Sequence, residues 1–258
     1  MSNYPSKGGL DRSVVQQQPY DGYYKYDQSV AQDYERDRQV EPHWWREDEF
    51  IHDHLAGREI RNLLDLPVGT GRFFRHYAGV KRLVGIDISE EMLNEARKKL
   101  SLMPQDTVVV LECGDVFNLP FGQSEFDVTI VWRLLHLLPQ ELLQPAIKEL
   151  CRVSSAELVV QTYVPASGWK KTIGAVCSKI LPRLRSPEPP QPVARTITNA
   201  THSAKPWSHI QAYFHKQSLI DSLFHDCGFS CVDSRMLGHY GAHAVRGTVY
   251  TVRIPRAE

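Results

Sequence analysis

Two carboxylates and two glycines are spaced as a site for a nucleoside-bearing ligand. Asp65 ends the apolar run Asn62-Leu63-Leu64-Asp65 and is followed by Leu66-Pro67-Val68-Gly69-Thr70-Gly71. Glycine has no Cβ and tolerates positive φ, so Gly69 and Gly71 let backbone pass close to a ligand. The chain after Gly71 is expected to enter a helix whose free N–H groups face that ligand. A second apolar run, Arg82-Leu83-Val84-Gly85-Ile86-Asp87, also ends in an acid. A strand, a glycine-rich turn, a helix and a second strand ending in a carboxylate make a nucleoside-binding half-site, with Asp87 placed to accept from both ribose hydroxyls. The dinucleotide fingerprint needs a third glycine, and Phe74 stands in its place. No Gly-Lys-Ser/Thr follows, which excludes a phosphate-binding P-loop. Pro67 fixes φ and removes one backbone donor from the loop.

Hydrophobic periodicity supplies the elements that position these residues. Strand runs lie near 62–66, 82–87, 107–112, 126–132 and 157–163, with helices near 71–78, 89–101 and 139–152 between them. Continuous apolar runs such as Thr107-Val108-Val109-Val110-Leu111 suit strands buried on both faces. Ser89 is placed to cap the helix that follows it, with Met92, Ala96 and Leu100 on one stripe. A helix over 216–227, capped by Gly228, precedes two closing strands, 229–237 and 245–254, which read as an edge hairpin. The fold class is therefore α/β, a doubly wound and mostly parallel seven-stranded sheet with an antiparallel C-terminal hairpin. Residues 1–28 read as a flexible segment and 29–258 as one domain. Within it, 29–58 form a helical cap, and the proline-rich stretch 165–215 is an insertion that covers the substrate.

Bulk properties narrow the partners. Thirty Lys and Arg balance thirty Asp and Glu, so charge alone suggests no nucleic acid partner. No apolar run reaches the roughly 20 residues needed to cross a bilayer. The polar first residues resemble no secretory signal. Five scattered cysteines without a CxxC pair suggest free thiols, a cytoplasmic location and no metal site.

Four segments together resemble the class I S-adenosylmethionine (SAM)-dependent methyltransferases, over roughly Leu63 to Val164. Asp65 to Gly71 resembles the glycine-rich first motif, and Val84-Gly85-Ile86-Asp87-Ile88-Ser89 the second. Gly114-Asp115-Val116 resembles the third. Phe126-Asp127-Val128 through Leu134-Leu135-His136-Leu137-Leu138-Pro139 resembles the fourth. The resemblance implies SAM as cofactor, with Asp65, Gly69 and Gly71 around its methionine and ribose and Asp87 on the ribose. It also implies Ile88 against the adenine, Asp115 accepting from the adenine amino group, and the Val116 N–H donating to a ring nitrogen. Trp132 would wall the methionine side, and Tyr34 would cover the cofactor.

The acceptor side is read from residue chemistry. His136 could take a proton from a hydroxyl nucleophile. Arg133 could bind an acidic acceptor group, with Trp45 and Tyr213 as further acceptor contacts. Each has a plain alternative: His136 as an orienting residue, Arg133 as a surface ion pair and the aromatic helices as core. The Asn/Asp-Pro-Pro-Tyr/Trp signature of base and glutamine methylation is absent. The expected reaction is methyl transfer to O, N or C of a small metabolite or glycan. A non-catalytic SAM-fold subunit and an NAD(P)-dependent oxidoreductase remain as other readings.

Overall fold

The computed structural model describes residues 28–165 and 212–253. Two helices lead in, α1 (Gln28–Arg38) and α2 (Trp44–Leu55). Then follow β1 (Ile60–Asp65), β2 (Val80–Asp87), α3 (Glu90–Lys98), β3 (Val108–Cys113), β4 (Phe126–Val131), α4 (Gln140–Val153) and β5 (Ser154–Pro165). α5 (Gln217–Asp226), β6 (Phe229–Tyr240) and β7 (His243–Val252) close the fold. The seven strands lie in the order β3-β2-β1-β4-β5-β7-β6. The first five are parallel, and β7 and β6 run antiparallel at the edge. This is the expected doubly wound sheet with its closing hairpin. Most of the stretch expected to be a covering insertion (166–211) and of the one expected to be flexible (1–27) lies outside the described residues.

Adjacent residues of β1 feed two separate cores. Leu64 packs with α4 and α5 through Leu143, Ile147, Leu150 and Phe224. Leu63 packs on the other face with Ile51, Leu55, Leu93 and Phe74. Alternation puts every second side chain on one face, so a strand buried on both sides must be apolar throughout. That is why β1, β2 and β4 read as unbroken apolar runs.

Order reverses between β1 and β4. The chain leaves β1 toward β2 on one side, whereas β4 continues to β5 on the other. Loops diverging at such a point leave a crevice beyond the strands' C-terminal ends. Ser89 caps α3 as expected, its Oγ accepting the Met92 N–H at 3.2 Å. Gly228 follows α5 at φ +90°. The helix expected over 71–78 is instead a single 3-10 turn, Phe74–His76. Tyr77 explains the shortening. Its hydroxyl is tied to Asp65 at 2.7 Å and its carbonyl accepts the Val80 N–H at 3.0 Å, so the chain must turn back into β2 after one turn. The ligand side of the loop is therefore bare backbone rather than a helix N-terminus.

Candidate active site

The crevice at the β1–β4 reversal is a cleft open to solvent, enclosing about 850 Å³ with the open solvent counted in. Its floor is the loop Leu66–Thr70, and the Leu66–Pro67 bond is cis. Gly69 sits at φ +56° and a Cβ built there would meet nothing within 4 Å, because the cleft opens above it. Gly71, at φ +71°, does not line the cleft. A Cβ there would fall 2.6 Å from the Phe74 ring, so this glycine serves packing beneath the loop.

Asp87 ties the loop to the end of β2. Its Oδ2 accepts the Gly69 N–H at 2.8 Å and its Oδ1 accepts the Ser89 N–H at 2.9 Å. The Ile88 N–H acts on it as a third backbone donor, and a carboxylate has about four lone-pair sites, so acceptor capacity remains for a further donor. Burial raises the Asp87 carboxyl from its usual 3.8 to about 6, partly offset by those backbone donors. Ile88, Met92, Gly114 and Val116 form an apolar wall beside it. Asp115 lies next to that wall. Its Oδ1 accepts the Phe117 N–H at 3.2 Å, and its Oδ2 is buried with no partner among the described residues. Asp65 lies outside the cleft lining, fully buried beneath the loop. Its Oδ2 accepts from Tyr77, its Oδ1 has no partner among the described residues, and burial raises its pKa to about 7.

The other end of the cleft is aromatic and cationic. Tyr34 of α1 lines it, and the neighbouring Glu35 accepts from Thr70 Oγ1 at 2.6 Å and from Lys99, which holds α1 over the loop. Trp132 lines it between the rings of Phe50 and Phe73, each 5.8 Å away. Arg133 follows at φ +59°, its backbone N–H donating to Gln161 Oε1 at 3.1 Å. Its guanidinium meets Glu41 at 2.7 Å and Glu47 at 3.0 Å. Arg133 also lines the cleft, so it is an internal ion-pair partner of the cap rather than a surface one.

Glu47 was not singled out by the sequence reading, yet it is the hub. It is fully buried and accepts from Arg72 at 2.6 Å, from Arg133 and from Gln161. The opposing arginines hold its carboxyl below the usual range despite burial. The available signal was an acid inside the stripe Trp44, Glu47, Ile51, Leu55, whose 3-4-4 spacing marks a buried helix face. The same spacing turns Trp45 outward. Trp45 is 59% exposed and does not line the cleft, whereas Trp44 does. Tyr213 is also away from the lining, with its N–H donating to the His136 carbonyl at 2.7 Å. The His136 ring packs against Tyr163 at a 48° tilt with centroids 4.5 Å apart, and its Nδ1 has no partner among the described residues. Burial and the nearby cations Arg133 and Arg38 push its pKa down to about 3.

Residues 63–156 match the family model described as "Methyltransferase domain". The match covers less than half of the chain, and over it the chain is similar to methyltransferase domains. Among curated relatives, the ubiquinone/menaquinone biosynthesis C-methyltransferase UbiE of Roseobacter denitrificans is 30% identical over 146 residues, 54% of this chain and 57% of that protein. The phosphatidylethanolamine N-methyltransferase of Cereibacter sphaeroides is 29% identical over 116 residues, 45% of this chain and 57% of that protein. The matches thus span little more than half of these two relatives. Magnesium protoporphyrin IX methyltransferase (ChlM) from Synechocystis PCC 6803, solved with bound S-adenosylhomocysteine (SAH), shares the fold. Its TM-score is 0.60 at 16% identity, over 94% of this chain and all of that one. Within the matched stretch, the cleft coincides with the loop and strand ends that carry the motif-like segments. Among the described residues, no three His, Cys, Asp or Glu are grouped to hold a metal, and no helix is long and apolar enough to cross a membrane.

Proposed function

We propose that this protein transfers a methyl group from SAM to an O, N or C nucleophile of a small metabolite or glycan. The observation that carries the reading is Asp87, buried at the head of the cleft with acceptor capacity left beyond its backbone donors. That capacity suits a ribose diol. The orphaned Oδ2 of Asp115 suits the adenine amino group, the Val116 N–H a ring nitrogen, and the side chains of Ile88 and Val116 the adenine faces. When bound, SAM supplies an electrophilic methyl on a sulfonium.

The protein's task is then alignment and exclusion of water, which can provide most of the acceleration. Tyr34, Trp44 and Trp132 wall the donor's amino-acid end, and α1 covers it. His136 is a weak proton acceptor with a pKa of about 3, because burial, and after it Arg133 and Arg38, disfavour its cation. That argues against His136, which does not line the cleft, as the group that deprotonates the acceptor. The nucleophile must be neutral, carbon-centred or already ionised when it arrives. The UbiE-like and phosphatidylethanolamine-methylating relatives carry names of C- and N-methylation, which agrees with a reaction that needs no strong base. Cys151, Cys227 and Cys231, which form no disulfide among the described residues, support a cytoplasmic location, and the balanced net charge supports a partner list without nucleic acid.

Calorimetry with SAH tests the site. Asp87→Ala is expected to abolish measurable binding while circular dichroism stays unchanged. Undiminished affinity in that variant would refute the assignment.

A further inference from the structure

Polar contacts, more than a core, hold α1 over the cleft. Its eleven residues, Gln28–Arg38, are mostly polar, and among its described side chains only Ala31 is buried. A helix this short is marginal in water on its own, so its place depends on what it touches. Two of its ties are charged. Arg38 Nη1 donates to Glu41 at 2.6 Å and fixes the C-terminal end of α1 to the turn that leads into α2. One turn earlier, Glu35 Oε1 accepts from Thr70 Oγ1 at 2.6 Å and from Lys99 Nζ. Lys99 also donates to Thr70 Oγ1 at 3.3 Å, which closes a triangle.

The triangle joins three separate parts of the site. Glu35 sits next to Tyr34, a wall of the cleft, and Thr70 belongs to the floor loop. Lys99 is the residue that ends α3. Glu35 and Lys99 do not themselves line the cleft, so the triangle closes alike with and without a ligand below it. Their side chains are each 28% exposed, so dissolved salt reaches the pair and weakens it.

We infer that Glu35, with Lys99 and Thr70, is the latch of the donor site: α1 swings about the Arg38–Glu41 tie, and release of Glu35 lets a ligand pass Tyr34. The inference rests on the SAM assignment above. Glu35 is a positioning residue, because it acts through Tyr34 and Thr70 and not on the donor. A latch that closes alike with and without a ligand stabilises both closed states equally. It therefore sets the rates of entry and exit and leaves their ratio, the affinity, nearly unchanged.

Stopped-flow binding of SAH to the full chain, followed by the fluorescence of Trp44 and Trp132 in the cleft lining, tests this. Glu35→Ala is expected to raise the association and dissociation rate constants together by about tenfold, a size that loss of a charge-assisted bond allows. Kd should change by less than about threefold, since the ratio of the two rates is kept. Lys99→Met, which leaves the Thr70 bond in place, should raise both rates by about threefold. SAH carries no net charge at neutral pH, so salt does not steer its encounter. Raising salt from about 0.05 M to about 0.5 M should therefore speed both steps in the wild type by screening the latch. An association rate in folded Glu35→Ala no faster than the wild type's would overturn the inference, because a contact that merely stabilises the fold does not speed entry when lost. If that variant did not fold, wild-type association that is flat or slower in salt would overturn it instead. Both results leave SAH binding, and hence the donor site, standing. If the wild type bound no SAH, the SAM assignment would fall and this inference with it.

Discussion

Donor affinity should depend on pH through Asp87, and the dependence can be worked from its surroundings. Burial raises this carboxyl from 3.8 to about 6, more than the N–H groups of Ser89, Gly69 and Ile88 lower it. The gap corresponds to about 3 kcal/mol, the cost of keeping the ion in a nearly dry pocket. The folded pKa lies above the unfolded one, so the ligand-free native state binds this proton more tightly. Its contribution to stability is fully present below about pH 4, is lost as pH rises through about 6, and then levels off. Two ribose hydroxyls donating to the carboxylate favour the charged form and drive the proton off. SAH binding should therefore tighten with pH up to about 6 and level above 7. At pH 5 the affinity should be about elevenfold below the plateau, from the one-proton relation with a pKa of about 6. Calorimetry at pH 5.5 in two buffers of different ionisation enthalpy should show release approaching one proton. Asp65, raised to about 7, titrates in an overlapping range. Measuring Asp65→Asn beside the wild type isolates the Asp87 component. Affinity constant within threefold from pH 5 to 7.5 in Asp65→Asn would refute the reasoning.

Glu47→Gln removes the anion from between Arg72 and Arg133, and a broken buried ion pair of this kind costs about 3–5 kcal/mol. Urea unfolding should register a loss in that range, and a loss below about 1 kcal/mol would contradict the hub. Gly71→Ala must adopt φ +71° and displace the Phe74 ring. A stability loss of about 2 kcal/mol is expected from strain and packing together, with Gly69→Ala milder because space is open at that position. His136→Ala should lower kcat by less than about tenfold, equivalent to about 1.4 kcal/mol. A hundredfold loss accompanied by a new acidic limb in the wild-type pH profile would restore a proton-transfer role.

The parts legible in the sequence share a local cause. The five parallel strands showed themselves because burial on both faces demands unbroken apolar runs, and the Ser89 cap and the Gly228 stop are local backbone requirements. Asp87 was legible because a carboxylate at a strand end after a glycine loop has few structural uses. What stayed hidden depends on contacts between distant segments. Nothing near Phe73 and Phe74 announces that Tyr77 is pinned to Asp65 and Val80, so a helix was expected where one turn fits. Arg133 looked like an acceptor ligand or a surface ion pair because Glu41 and Glu47 lie 92 and 86 residues before it. Trp44 and Trp45 could be told apart only by fixing the phase of α2, which the buried Glu47 does once it is read as part of the stripe.

The central claim is that the cleft above Gly69 is the donor site. A crystal structure of the full chain with SAH tests it most directly. Density for the ligand should run along the Leu66–Thr70 loop, with the ribose hydroxyls on Asp87 and the adenine between Ile88 and Val116. Ordered SAH elsewhere on the protein, or an empty cleft at saturating ligand, would contradict it.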